Sequence, residues 1–268
     1  MRILDNIIDL ASESIPFSKV ILHAANRIGG LQYGSYTITD EVALARSFVK
    51  LSGGAIIDAG ANRGSWSKLF ISDNFAFDKL IVIEPQGIHF DSLQALRQNS
   101  SKIIIEKLAV GSSSGEVTLY TDKDGSSHAS LYERNLAHVG TTMQARGFVE
   151  LTTLDSLAAK HCIHHVAFLK LDLEGHELEA LKGANELLSR RAIDAIAFEF
   201  GGCNIDSRTY IKDFWSLMVA RHGFSLYRLL PRRRLRRLPK YSESLEQFSW
   251  QNILACAPGI VPTWKVFY

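Results

Sequence analysis

AIIDAGANRGSWS, Ala55–Ser67, decides the fold of this chain. Its first half is a short apolar run closing on Asp58, long enough for a buried strand and too short for a helix. Its second half carries Gly60 and Gly64, residues that let a backbone turn with φ > 0 and come close to a ligand. Together they read as a strand, a tight turn and a helix start. Asp58 then stands at the carboxyl end of the strand, where open α/β sheets bind ligands. About two dozen residues later, a second strand candidate, Leu80–Ile83, ends in Glu84-Pro85. A carboxylate there suits the two hydroxyls of a ribose. The pair predicts a nucleoside-containing cofactor.

Outward from this stretch, apolar runs alternate with helical patterns. Strands are expected at Ala55–Asp58, Leu80–Ile83, Ile103–Leu108, Ala167–Leu171 and Ile193–Phe200, with helices near Ser65–Ile71, Ile88–Asn99 and His176–Arg190. That alternation predicts a parallel, doubly wound sheet. Glu116–Tyr120 alternates like a hairpin or edge strand, and Asp122–Arg146 is the longest irregular candidate. Beyond Gly201, a helix over Thr209–Arg221 leads to a strand at Phe224–Leu230, then a basic stretch, then a last strand near Ile253–Ala257. The closing two strands suit an antiparallel pair at the sheet edge. The first 50 residues read as a helical leader or cap, residues 1–50, ahead of the main domain, 51–268. In the leader, Ile3, Leu4, Ile7, Ile8 and Ala11 recur at helical spacing, Pro16 interrupts, a second apolar segment runs from Val20 to Ile28, and Gly29, Gly30 and Gly34 mark a loop. Thr39 or Asp40 is expected to cap a helix Glu41–Leu51.

The composition excludes several function classes. With 268 residues and a net charge of +2, nothing argues globally for a nucleic-acid or membrane partner. Cys162, Cys203 and Cys256 are far apart and odd in number, which argues against a disulfide framework. Asp5, Asp9 and Glu13 interrupt the apolar N-terminus, so neither a signal peptide nor a membrane span is expected, and the expected location is cytoplasmic.

Three constellations carry chemistry. Asp58-Ala-Gly60-Ala-Asn62-Arg-Gly64 is not the dinucleotide pattern GxGxxG, because Asn62 stands at its second glycine. An acid ahead of the turn suits a cationic group, such as the amino group of a methionine moiety. Glu84 suits the ribose. Phe168–Glu177 runs a buried strand into Asp172, Glu174 and His176, at the ligand edge of the sheet; Glu177 and Glu179 read as first-turn acids facing the helix dipole. Against function stand capping and salt bridges from Lys170 or Lys182 to Asp172 and Glu174.

At this point AIIDAGANRGSWS, VIEP, LAVGSSSGEVTL, Thr152-Thr153-Leu154-Asp155 and FLKLDLEGHELEALKGA together resemble the FkbM family of S-adenosylmethionine-dependent methyltransferases. The resemblance covers about Gly53 to Glu199, and the tail NIDSRTYIKDFW…QNILA is similar to one branch. It implies an α/β class I methyltransferase (Rossmann-like) fold: a seven-stranded, mostly parallel sheet with helices on both faces and an antiparallel last strand. It implies methyl transfer, commonly to hydroxyls of sugars or polyketide-type natural products. Carried across, Asp58, Gly60, Asn62 and Gly64 contact the methionine part and its turn, Glu84 the ribose, and Leu108 and Ala109 the adenine. Asp172 then lies near the sulfonium and Glu174 near the acceptor.

An alcohol acceptor needs a base. Candidates are Glu174, Asp172, His176 and Glu199, with Glu174 favoured. No metal site is assigned, although Asp172 and Glu199 on adjacent strand ends leave a Mg²⁺ route open. Expected acceptors are small molecules or glycans, including nucleotide- and lipid-linked sugars. His161, His164 and His165 read as a surface loop, Ser126, Ser127 and His128 as a turn or a substrate contact, and Trp215, Tyr227 and Trp250 as core. The run Pro231–Lys240 reads as a solvated basic loop that could also meet a phosphorylated sugar or an anionic membrane surface. Two other functions compete: a nicotinamide-dependent oxidoreductase, disfavoured by the missing GxGxxG, and a nucleic-acid binder using Arg232–Arg237.

Overall fold

Five apolar runs form five parallel strands. In a computed structural model that describes residues 15–31, 37–98 and 100–268, these are β1 (Ala55–Ala59), β2 (Lys79–Ile83), β3 (Ile103–Glu106), β7 (Val166–Leu171) and β8 (Ile193–Phe200). Every residue of β1 and β7 is buried, as expected of strands covered on both faces. Two strands close the series: β11 (Gln251–Cys256) runs antiparallel to β8, and β9 (Ser225–Leu230), antiparallel to β11, runs parallel to the first five. The order through these seven is β3-β2-β1-β7-β8-β11-β9, the doubly wound class I arrangement anticipated above.

The sheet does not stop at seven. Pro231–Lys240, expected as a loop, contains strand β10 (Arg234–Leu238), which pairs antiparallel with β9; the short β12 (Lys265–Phe267) adds to it in parallel. Leu235 and Leu238 are buried on opposite sides of the sheet and anchor the arginines in a nine-stranded sheet.

A second sheet holds β4 (Ala109–Val110), β5 (Gly115–Thr121) and β6 (Gln144–Thr152) in the order β4-β6-β5. β6 takes up the end of the expected irregular stretch, and the expected strand Ile103–Leu108 stops at Glu106.

Helices cover both faces. Phe48, Trp66, Phe70 and Phe168 pack on one face, with Trp66 stacked on Phe70 at 5.3 Å between centroids. Phe198 and Phe214 stack at 4.5 Å on the other. Truncating a buried aromatic of this kind costs about 3–5 kcal/mol.

Several helix limits differ from expectation. Thr37, not Thr39 or Asp40, caps the helix Ile38–Ser52; Asp40 completes a capping box from its third position. Pro16 does not interrupt. It lies in the first turn of the helix Ile15–Gly29, where its missing N–H has no partner to lose. The helix expected at His176–Arg190 breaks at Gly183 into Glu177–Lys182 and Asn185–Ser189; the Gly111 carbonyl lies 2.0 Å from where a Gly183 Cβ would stand, so only glycine fits there. The helix after Thr209 opens at Ile211 and widens to π geometry over Trp215–Arg221. The expected helical spacing at Ile3–Ala11, the loop at Gly34 and the helix end at Asn99 lie outside the described residues.

Candidate active site

The strand–turn–helix at Ala55–Ser67 builds the floor of the site. Gly60 adopts φ 81° and its N–H donates to the Ile83 carbonyl at 2.9 Å, while Asp172 N–H donates to the Ala59 carbonyl at 3.0 Å. The ends of β1, β2 and β7 are thereby tied together. Glu84 is buried, and its two carboxylate oxygens each accept a backbone N–H, from Asn62 at 2.8 Å and from Gln86 at 2.9 Å. Burial pushes its carboxyl above the ordinary range against these two hydrogen bonds. The Ser126 carbonyl accepts from Asn62 Nδ2 at 3.2 Å and Gln86 Nε2 at 3.0 Å, which holds the following loop, 127–131, over the floor.

Between floor and loop lies a cavity of about 320 Å³, within the size range of small-molecule sites. By strand order Glu84, after β2, stands at one end, and Asp172 and Glu199, from β7 and β8, stand toward the other. Pro85, Leu108, Ala109, Val110, Glu174, His176 and Trp250 line it as well, His176 lying against Gly111. Gly60 and Asn62 border it; Asp58 and Gly64 do not. Asp58 is fully buried beneath the turn, accepts Ser67 Oγ–H at 2.7 Å and lies 3.3 Å from Lys170 Nζ. Its pairing opposite Lys170 on β7 explains that contact. Gly64 opens the helix Ser65–Phe70 and lies against Leu93. Both of these expected cofactor contacts support the turn from beneath or behind it in this structure.

The acidic end was only half legible. Lys170 does bridge to Asp172, at 3.3 Å, but Lys182 pairs with Glu179 instead. Glu174 is ion-paired with Arg134, whose guanidinium also lies 3.5 Å from Asp206. Burial and the Asp172 carboxylate push Glu174 upward, and Arg134 opposes them. Glu199 is raised well above the usual carboxylate range by burial, then by Asp172 and Glu174, with a hydrogen bond from Trp250 opposing. Burial lowers His176 to about 4, so its ring is neutral at physiological pH; Tyr132 OH lies 3.1 Å from its Nδ1. Glu177 is not a solvated first-turn acid. It is fully buried and accepts the N–H groups of Leu173 at 2.8 Å and Gly175 at 3.3 Å, fixing the acidic turn. Trp250, expected in the core, borders the cavity. Among the described residues no three His, Cys, Asp or Glu side chains gather as a metal cage. His161 instead pairs with Glu106, and His165 with Asp194 at 3.0 Å.

Behind Asp172 and Glu199 a second, smaller cavity reaches Glu41 on the helix Ile38–Ser52. Glu41 accepts Asn252 Nδ2–H, and burial, only partly offset by Lys170, pushes its carboxyl up to about 7. Neither Glu41 nor Arg134 had a sequence signal, because each finds its partner only across the fold. Glu41 binds its proton more tightly folded than unfolded. Its contribution to stability is complete below about pH 4.5 and declines as pH rises to about 7. Glu41→Gln removes that decline. Relative to wild type, the variant should gain on the order of 3 kcal/mol between pH 4.5 and 8, read from denaturant midpoints; parallel pH curves would exclude a buried, titrating Glu41.

Residues 58–226 match the Methyltransferase FkbM domain, more than half of the chain. The chain belongs to the FkbM methyltransferase family. Among solved structures, a methyltransferase FkbM from Methylobacillus flagellatus is 16% identical with a TM-score of 0.47, the match covering 76% of this chain and 43% of that one. This chain thus spans under half the length of that protein. A precorrin-6y methyltransferase from Geobacter metallireducens is 11% identical with a TM-score of 0.40, covering 85% and 93%. No curated protein matches. No helix among the described residues is long and apolar enough to cross a membrane.

The family implies S-adenosylmethionine, and the residues present fit it. Glu84 lines the cavity with its carboxylate fixed by backbone N–H groups, as a diol partner would be, apolar residues line it too, and Gly60 leaves the floor without a side chain. Glu84→Gln has one acceptor oxygen for two backbone N–H groups and loses the charge that strengthens ribose hydrogen bonds. S-adenosylhomocysteine should bind about 10–100-fold more weakly by calorimetry; unchanged affinity would remove Glu84 from the ribose.

Proposed function

We propose that this FkbM-family methyltransferase methylates a hydroxyl oxygen of a sugar, within a glycan or a glycosylated small molecule. The observation that carries this reading is the meeting of Asp172, Glu174 and Glu199 at one end of a cavity whose other end holds Glu84. When bound, S-adenosylmethionine supplies a methyl group on a positively charged sulfur. The chain must then align an acceptor oxygen with that carbon and take the hydroxyl proton. Positioning of this kind supplies about 7–11 kcal/mol, and a base about 10²–10⁴-fold.

Glu199 suits the base better than Glu174. Burial and Asp172 raise Glu174 too, to about 8, but Arg134 occupies its carboxylate, which suits it to anchoring a neighbouring hydroxyl. Glu199 carries a raised affinity for protons from burial and its two acidic neighbours. Asp172 faces Lys170 and contributes negative charge near a cationic sulfur. Neutral His176 and Tyr132 offer further polar contacts to a polyhydroxy acceptor.

The test is transfer of a labelled methyl group from S-adenosylmethionine to free sugars, nucleotide sugars and cell-envelope glycans, with the product mapped by mass spectrometry. A base-stable methyl ether on a sugar carbon supports the proposal. Label confined to carbon or nitrogen, or no transfer while the donor binds, would refute it.

A further inference from the structure

The helix Ile15–Gly29, IPFSKVILHAANRIG, contains no Asp or Glu. Ile21, Ala24, Ala25 and Ile28 recur at the spacing of one helix face. That face is open: Ile21 is 43% and Ile28 68% exposed, and on its flanks Val20 is 63% and Leu22 59% exposed. Such an apolar patch ordinarily marks an interaction site. The chain after the helix is docked: Gly30 is packed on the Leu229 carbonyl and Leu230, at the end of β9.

The register shows what surrounds that end. Leu230 pairs with Arg234, Arg234 pairs with Lys265, and the turn between β9 and β10 is Pro231-Arg232-Arg233. The apolar helix therefore abuts a cationic turn at the sheet edge. Farther along, Arg234 lies over the Phe267 ring and Arg237 over the Tyr268 ring, each at 5.7 Å. β9 and β8 are both antiparallel to β11, so β9 runs parallel to β8. The cationic turn accordingly lies on the same edge of the sheet as Asp172 and Glu199.

We propose that this edge docks on an anionic lipid bilayer, with the helix Ile15–Gly29 in the headgroup–acyl boundary and the arginine turn on lipid phosphates. Charge complementarity and the apolar face select this partner together. An acid-free amphipathic helix beside a polybasic segment is the combination that holds a protein at such a surface. A nucleic acid would use the arginines and leave the isoleucines in water. A second copy of this chain would set arginine against arginine. Docked this way, the acceptor edge of the sheet faces the membrane.

The test is flotation of the full chain with vesicles of phosphatidylcholine alone or with about 30% phosphatidylglycerol. Binding is expected to the anionic vesicles only, and to fall with salt. Arg232→Gln with Arg233→Gln should weaken it on the order of 25-fold, and Ile21→Ser with Ile28→Ser at least about 10-fold. These side chains are all exposed, Arg233 also meeting Asp40 at 3.1 Å, and thermal melts should stay close to wild type. Absence of binding to anionic vesicles would overturn the proposal. So would binding indifferent to the isoleucine changes, tighter binding to single-stranded RNA, or a dimer that dissociates when the isoleucines are replaced. The assay contains no methyl donor, so its outcome is separate from that of the transfer screen.

Discussion

Gly60→Ala is expected to lower stability by more than about 4 kcal/mol, a fall in melting temperature of roughly 10 °C or more, with loss of S-adenosylhomocysteine binding. A Cβ at Gly60 would stand 1.8 Å from the Asp172 carbonyl oxygen and 2.8 Å from its carbon. Backbone cannot swing aside as a side chain does, and both ends of the clash are pinned by hydrogen bonds, Gly60 to Ile83 and Asp172 to Ala59. Relief would require pulling β1 from β7. Gly140 provides the control. Its φ of 70° is similar to the 81° of Gly60, yet nothing lies within 4 Å of its Cβ position. Gly140→Ala should cost only about 1–2 kcal/mol. If the two variants melted together, the crowded crossing would not be what requires glycine.

Glu199→Gln should lower kcat by about 10²–10⁴-fold while S-adenosylhomocysteine affinity stays within a few-fold. The carboxylate is the working form of a base, so wild-type turnover should climb with pH through the raised pKa of Glu199. The variant should lack that limb. Burial, Asp172 and Glu174 all act in the same direction on this group. A variant that turned over at the wild-type rate would remove Glu199 from proton transfer and return Glu174 and Asp172 as candidates.

What the sequence revealed was whatever local pattern determines. A buried strand ending in an acid and a glycine turn is a local event, and Gly60, Asn62 and Glu84 fall where the turn rules put them. So do the neighbouring carboxylates Asp172 and Glu174. Arg134 and Glu41 were invisible for the opposite reason. Each is one charged residue in an unremarkable segment, paired with a group that only the folded chain brings near. β6 escaped because it lies in a small, mostly solvent-facing sheet, where burial imposes no alternation on Gln144–Thr152. The arginine run was misread because its charge masked Leu235 and Leu238, and strand formation there depends on β9 as a partner. Asp58 was placed correctly at its strand end, yet an adjoining β7 lysine draws its carboxylate below the cavity.

The Ser126 carbonyl has one further consequence. Two amide groups from the ends of different strands, Asn62 and Gln86, converge on this single oxygen and latch the loop across the nucleoside end of the cavity. With the donor placed as proposed, beside Glu84, its exchange would entail breaking and remaking the same two hydrogen bonds, a step independent of chemistry at the acidic end and one able to set the pace of turnover.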